Sequence, residues 1–330
     1  MNYKLLLEGS QRLKESDAAE VMQGVTNGSY TDAQVASILT MFLIRGVTSD
    51  ELLGFSRALL SRALPVSLYR TDTIDLCGTG GDGKDTFNIS TLTAFVLAGA
   101  GVPVVKHGNY GASSVSGSSN LLEHLGYRFS ADSSQLNAEL ERVGLTFLHA
   151  PLFHPALKVV SHIRKQLGIK TLFNMLGPLV NPAQPDYQLS GVNSLDLARL
   201  YAYILKDRRK GFTIIHSLEG YDEVSLTGAT RYIGSSSEGV LYPADFGLLP
   251  VTGQALHGGG TVEQSAKIFM DVLSGRGTAE QMRCVEANAA MGITCYGVTS
   301  SLTDAVAMAA ESLESGRALA CFTKLMEMQQ

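Results

Sequence analysis

Residues 77–91, Cys-Gly-Thr-Gly-Gly-Asp-Gly-Lys-Asp-Thr-Phe-Asn-Ile-Ser-Thr, hold the densest chemical signal in the chain. The glycine turn stands between an apolar run, Thr73-Ile74-Asp75-Leu76, and a helical one, Thr91 to Ala98. Such a turn exposes backbone N–H groups at the positive end of a helix, where phosphate binds readily. The hydroxyls of Thr86, Ser90 and Thr91 and the amide of Asn88 add donors. Asp82 narrows the choice. A carboxylate repels phosphate unless it accepts ligand hydroxyls or helps organise a metal, so the loop suits a sugar phosphate. Two familiar loops fit less well. Gly78-x-Gly80-x-x-Gly83 has the dinucleotide spacing, yet Gly99 to Lys106 lacks the acid expected about twenty residues on. Gly78 with Gly83-Lys84 resembles a P-loop, but Asp85 stands where Ser or Thr must reach magnesium.

Three more segments have matching chemistry. Lys106 to Asn120 packs one Lys, one His, two Asn, five Ser and three Gly into fifteen residues. A strand before it and Leu121-Leu122-Glu123-His124-Leu125 after it argue for an ordered, functional loop rather than a linker. Asp222-Glu223 follows the strand candidate Phe212–Ser217. Adjacent acids there suit a hard cation such as magnesium on phosphates, although such a pair is more often a solvated turn. Ala150-Pro151-Leu152-Phe153-His154-Pro155 leads to Arg164 and on to Pro178, an apolar slot beside a guanidinium able to clamp a carboxylate. Without that role, His154 is a satisfied core ring and Arg164 a surface charge.

The elements that position these residues change character along the chain. Residues 1–64 read as helices, opened by capping boxes at Thr31–Gln34 and Thr48–Glu51. From about residue 71 the pattern is strand, glycine turn, helix. Val102–Lys106, Leu145–His149, Gln188–Val192, Phe212–Ser217 and Glu223–Thr227 are further strand candidates. Helices return after residue 261, with capping boxes at Thr261–Gln264 and Thr278–Gln281. The expectation is an α/β fold: a small all-helical domain on a larger α/β domain with a mainly parallel central sheet, and a ligand cleft between them.

Composition excludes other classes. The 330 residues, 45% hydrophobic and 17% charged, suffice for a packed core. A net charge of −5 gives no case for nucleic acid or a lipid surface. Cys77, Cys284, Cys295 and Cys321 show no paired or zinc spacing and read as core residues of a reducing compartment. No signal peptide or spanning segment is evident, so a cytoplasmic location is expected.

Jointly, the motifs resemble anthranilate phosphoribosyltransferases across essentially the whole chain. The matching residues are Gly78-Thr79-Gly80-Gly81-Asp82, Asn88-Ile89-Ser90-Thr91, Lys106-His107-Gly108-Asn109, Ser113-Ser114 with Gly117-Ser118, His154-Pro155-Ala156, Leu167-Gly168 through Asn181-Pro182-Ala183, and Gly220-x-Asp222-Glu223. The resemblance implies a helical domain over residues 1–66, joined by part of about 164–180, and an α/β domain over 71–330. It implies transfer of phosphoribose from phosphoribosyl pyrophosphate to the amine of anthranilate, by a homodimer meeting through its helical domains. The donor would contact Gly78, Gly81, Asp82, Thr86, Asn88, Ile89, Ser90, Thr91, Lys106, His107, Gly108, Asn109, Ser113, Ser114 and Ser118. Anthranilate would meet Gly78, Asn109, His154, Arg164 and Pro178, while Ser90, Asp222 and Glu223 would hold Mg2+. No dedicated general base stands out, and His107 is the best candidate by residue type.

The chain departs from the common pattern at Tyr110 (often Arg), Ser119-Asn120 (Ala-Asp), Lys170 (Arg) and Ser217 (Gly). The nearest rival reading is pyrimidine nucleoside phosphorylase, a relative with a similar glycine loop and no obvious need for Asp222-Glu223. A non-catalytic, nucleic-acid-binding relative would need a basic face, which the net charge argues against.

Overall fold

The computed structural model describes residues 6, 12–111 and 115–329. Among them one sheet is built from β1 (Ile74–Gly78), β2 (Val104–Gly108), β3 (Leu145–His149), β4 (Tyr187–Gly191), β5 (Gly211–Ser217), β6 (Thr230–Gly234) and β7 (Glu238–Leu241). The spatial order is β3-β2-β1-β4-β5-β6-β7. The first five strands run parallel and β6 and β7 antiparallel. From β1 the chain steps outward through β2 to β3, then returns to the other side of β1 as β4. The carboxyl ends of β1 and β4 therefore flank a topological switch point, where open α/β sheets bind ligands.

Every residue of β3 and β5 is buried, as expected for parallel strands covered on both faces. One face packs on helices Ile89–Gly99 and Ala279–Tyr296, with Leu76, Leu92, Phe95, Leu97, Val285 and Ile293 in a common core. A second core joins the initial helices, through Val21, Phe42 and Phe55, to Ile163, Phe173 and Leu179, to helix Leu195–Leu205 and to Ile214 of β5.

The expected strand Glu223–Thr227 is not one. Leu226 has φ +57°, incompatible with extended backbone. The N–H of Val224 goes to Asn288 Oδ1 at 3.0 Å and that of Ser225 to Ser217 Oγ at 3.2 Å, so side chains replace a ladder. The antiparallel strands lie further on, at β6 and β7. Thr31, Thr48 and Thr278 open their helices with complete capping boxes. Thr261 caps Gln264 N, but Gln264 Oε1 accepts from Gly260 instead of returning to Thr261.

Candidate active site

The glycine loop begins where β1 ends, and its shape follows from one packing contact. A Cβ on Gly78 would stand 2.5 Å from Asp222 Oδ2, and one on Gly191, its partner in β4, 1.6 Å from Asp222 O. Both strand ends must be glycine for the Asp222 corner to sit between them. Asp222 Oδ2 in turn accepts the N–H of Gly80 at 2.7 Å. Gly80, Gly81 and Gly83 all have positive φ, 64°, 74° and 72°, so the loop conformation itself selects glycine. Asp82 Oδ1 accepts Lys84 N at 3.1 Å, while its Oδ2 is buried without a partner.

Asp222 and Glu223 do not form the solvated turn that such a pair more often makes. Asp222 is 7% exposed. Burial, and then the charge of Asp82, lift its carboxyl to about 7. Burial, followed by Asp222 and Asp82, pushes Glu223 well above its usual value, although Thr86 Oγ1 donates to Glu223 Oε2 at 3.2 Å and Ser90 N–H also reaches the carboxylate. Three crowded carboxyls, one oxygen of them orphaned, are chemically suited to a divalent cation. Among the described residues no three His, Cys, Asp or Glu side chains make a self-sufficient metal cage. Magnesium, however, is commonly held by one or two carboxylates completed by water and substrate phosphate. Ser90, Asp222 and Glu223 thus fit that ion.

Lys106, in the middle of β2 and only 3% exposed, donates to Leu76 O and to Ser90 Oγ, placing a buried positive charge beneath the loop. Asn88 Nδ2 donates to Ser116 O at 3.0 Å and ties the glycine loop to the second polar segment. Asn109 O accepts from Ser119 N at 3.2 Å and Ser118 Oγ at 3.3 Å. A Cβ on Gly108 would meet Ser118 Oγ at 2.5 Å. Ser113 and Ser114 lie outside the described residues.

The opposite wall is apolar and cationic. Arg164, near the end of helix Lys158–Leu167, lies with its guanidinium carbon 5.3 Å from the ring centre of Phe173. Burial lowers its pKa, and among the described residues no carboxylate pairs with it. His154 Nε2 lies 2.8 Å from Val180 O, so its ring is satisfied by backbone while still facing the cavity. His107 is 5.5 Å from His154, edge to face. Its Nδ1 lies 3.2 Å from Gly177 O; a carbonyl can only accept, so the proton sits on Nδ1 and the buried Nε2 is left free as an acceptor. Burial, then His154, push its pKa down to about 3. That ring stays neutral and is too weak a base to serve as the general base suggested by its type.

These walls enclose one cavity of about 300 Å³. Gly78, Gly81, Asp82, Thr86, Asn88, Ser90, Thr91, Lys106, His107, Gly108, Asn109, Ser118, His154, Arg164, Pro178, Asp222 and Glu223 all line it. Ile89 does not: its side chain is 1% exposed in the core and its N–H is taken by Phe87 O. Sequence reasoning missed Leu59, Cys77, Tyr110 and Phe173 as lining residues. Tyr110 and Phe173 stood inside quoted motifs, whereas Leu59 looks like any core leucine of a helix.

The helical bundle domain of a glycosyl transferase family matches residues 3–63, and the a/b domain of that family matches residues 70–319. A Flavobacterium johnsoniae protein named anthranilate phosphoribosyltransferase is 50% identical over 316 residues, 96% of each chain. The crystal structure of anthranilate phosphoribosyltransferase from Thermus thermophilus superposes with a TM-score of 0.92 at 35% identity, covering 99% of this chain and 98% of that one. The Saccharomyces cerevisiae enzyme of the same name, in complex with phosphoribosyl pyrophosphate and Mg, gives 0.91 at 28% identity, covering 99% and 96%.

Proposed function

Because this chain belongs to the anthranilate phosphoribosyltransferase family, we propose that its cavity transfers the phosphoribosyl group of phosphoribosyl pyrophosphate to the amine of anthranilate, in tryptophan biosynthesis. The products are N-(5-phosphoribosyl)anthranilate and pyrophosphate. One observation carries the reading: a guanidinium that no carboxylate pairs among the described residues faces, across a single cavity, a phosphate-type glycine loop backed by crowded carboxyls.

The residues divide the work. The N–H groups of the glycine loop, the hydroxyls of Thr86, Thr91 and Ser118 and the charge of Lys106 bind the donor's phosphates. The free Oδ2 of Asp82 accepts a ribose hydroxyl, which resolves its orphaned state. Ser90, Asp222 and Glu223 would hold Mg2+, which supplies positive charge to the departing pyrophosphate. Arg164 grips the anthranilate carboxylate, and Pro178, His154 and the neutral His107 ring flank the aromatic plane. Asn109 stands between the two substrates. As the C1–oxygen bond to pyrophosphate breaks and the C1–nitrogen bond forms, the sugar carbon passes through an oxocarbenium-like state. The arylamine is neutral near physiological pH, so its lone pair is available without prior deprotonation. Its surplus proton leaves after the new bond has formed. Positioning then supplies most of the catalysis, which agrees with the lack of a suitable base among the described residues.

The helical part exposes Leu43 (47%) and Ile44 (81%) on helix Asp32–Arg45, which supports a homodimer through that surface; sedimentation equilibrium tests it. No helix among the described residues is long and apolar enough to cross a membrane, and a cytoplasmic enzyme is the reading we adopt. The deciding experiment follows anthranilate fluorescence during incubation with phosphoribosyl pyrophosphate and Mg2+. Loss of the fluorophore with release of pyrophosphate is the expected result, and unchanged fluorescence would refute the assignment.

A further inference from the structure

Three residues at which this chain departs from, or adds to, the motif pattern meet at one place beside the cavity. His149, the last residue of β3 and 5% exposed, stacks on Phe129 with ring centres 4.6 Å apart. The Tyr110 ring meets it edge-on at 4.8 Å. His149 Nδ1 forms a buried 2.8 Å hydrogen bond with Ser119 Oγ. The Ser119 N–H donates to Asn109 O, the same oxygen that receives Ser118 Oγ. Tyr110 Oη donates to Glu123 Oε1 at 2.9 Å, and Asn120 Oδ1 accepts from both Gly111 and Gly117. Burial of the His149 ring lowers its pKa, against the opposing charge of Glu123.

We propose that His149 is a positioning residue for the donor substrate, holding Asn109 and Ser118 in register through Ser119 while Phe129 and Tyr110 fix its ring. The proposal rests on the phosphoribosyl pyrophosphate reading of the cavity. A histidine kept only for packing would gain nothing from its polar atom, since an apolar ring of similar size would fill the slot without the cost of burying a polar group. Here the polar atom binds Ser119, whose backbone N–H reaches Asn109 O. The chain of contacts runs β3, His149, Ser119, Asn109. It sets the carbonyl about which both ends of the polar segment are arranged.

The test separates the bond from the packing. His149→Phe keeps the stacked ring and loses the hydrogen bond. Ser119→Ala loses the bond alone. His149→Asn restores a hydrogen-bonding atom close to the position of Nδ1. Each of the first two is expected to raise the phosphoribosyl pyrophosphate KM about three- to tenfold, as loss of one buried bond implies. They should leave kcat within about twofold and change the anthranilate KM less. The melting temperature of His149→Phe should stay at or above that of the unsubstituted protein, and His149→Asn should recover most of the donor affinity. Calorimetric titration of phosphoribosyl pyrophosphate with Mg2+ reads the same effect without turnover. A protein that binds the donor but consumes no anthranilate would therefore overturn the reaction and not the brace. An unchanged donor KM in both bond-deleting variants, or a parallel rise of both KM values with a fallen melting temperature, would overturn the proposal.

Discussion

Asp222 Oδ2 lies 2.7 Å from the amide nitrogen of Gly80, joining two loops that are 142 residues apart in sequence. The same corner presses its backbone against Gly191. One aspartate therefore both shapes the phosphate loop and supplies a carboxylate to the crowded acid group.

That double role predicts a split phenotype for Asp222→Asn with Glu223→Gln. The amides keep an acceptor for Gly80 and Thr86 and remove both the cost of burying two carboxylates and their like-charge repulsion, which together raise both carboxyls. Melting temperature without Mg2+ should hold or rise, while turnover falls about a hundred- to a thousandfold through lost stabilisation of the leaving group. Scanning calorimetry and steady-state kinetics measure the two halves. Near-normal activity at low Mg2+ would defeat the metal assignment.

Arg164→Ala should raise the anthranilate KM roughly ten- to a hundredfold, the effect of a charged hydrogen bond worth about 1.5–3 kcal/mol. Donor binding should change little, and Arg164→Lys should rescue only in part because it lacks the planar fork. Comparing anthranilate with aniline isolates the carboxylate contact. Equal weakening of both substrates, with a lower melting temperature, would instead make Arg164 a brace for Phe173.

Gly81 has φ +74°, and a Cβ there would lie 3.2 Å from Lys170 Cε. Gly81→Val is expected to abolish measurable donor binding while leaving the remote helical core folded. Gly78→Ala should be the more telling small change, since its single methyl would push on Asp222 itself. Isothermal titration that found normal donor affinity in both variants would reduce the loop to a structural turn.

Stability should respond to acid through Glu51, fully buried in the helical part. Burial opposes its charge, but Arg45 at 2.6 Å and the N–H groups of Leu13 and Thr48 outweigh burial, and its pKa falls below 4.5. A carboxyl whose folded pKa is depressed stabilises the fold above its unfolded value and loses that contribution as pH falls through the folded one. Melting temperature should therefore decline below about pH 4.5. Glu51→Gln should cost about 3 kcal/mol at pH 7 and flatten that acid slope. A mutant with the same acid slope would show that Glu51 is not its source.

Much of the site was legible because phosphate chemistry uses neighbouring residues: Gly78 to Thr91 and Lys106 to Ser118 are each continuous, so composition alone marks them. The strands β1 to β5 were legible from apolar runs bounded by turns, within about two residues. What failed did so where partners come from afar. Glu223–Thr227 has the composition of a strand, but Asn288 and Ser217 take its N–H groups, and nothing near residue 223 announces Asn288. The solvent-exposed reading of Asp222 failed for the same reason, since Gly78 and Gly191 create the space that buries it. Arg164 and Phe173 lie nine residues apart on separate elements, and their stacking is a tertiary fact.

The cavity's two halves hang from different hydrophobic cores. Leu76, Phe87 and Ile89 anchor the phosphate side, whereas Ile163, Phe173, Leu176 and Val180 anchor the acceptor side. Substitutions can accumulate in the second core, altering the width and tilt of the aromatic slot, without disturbing the backbone that cradles the sugar phosphate. A lineage carrying this architecture could change the amine it accepts while inheriting its donor intact.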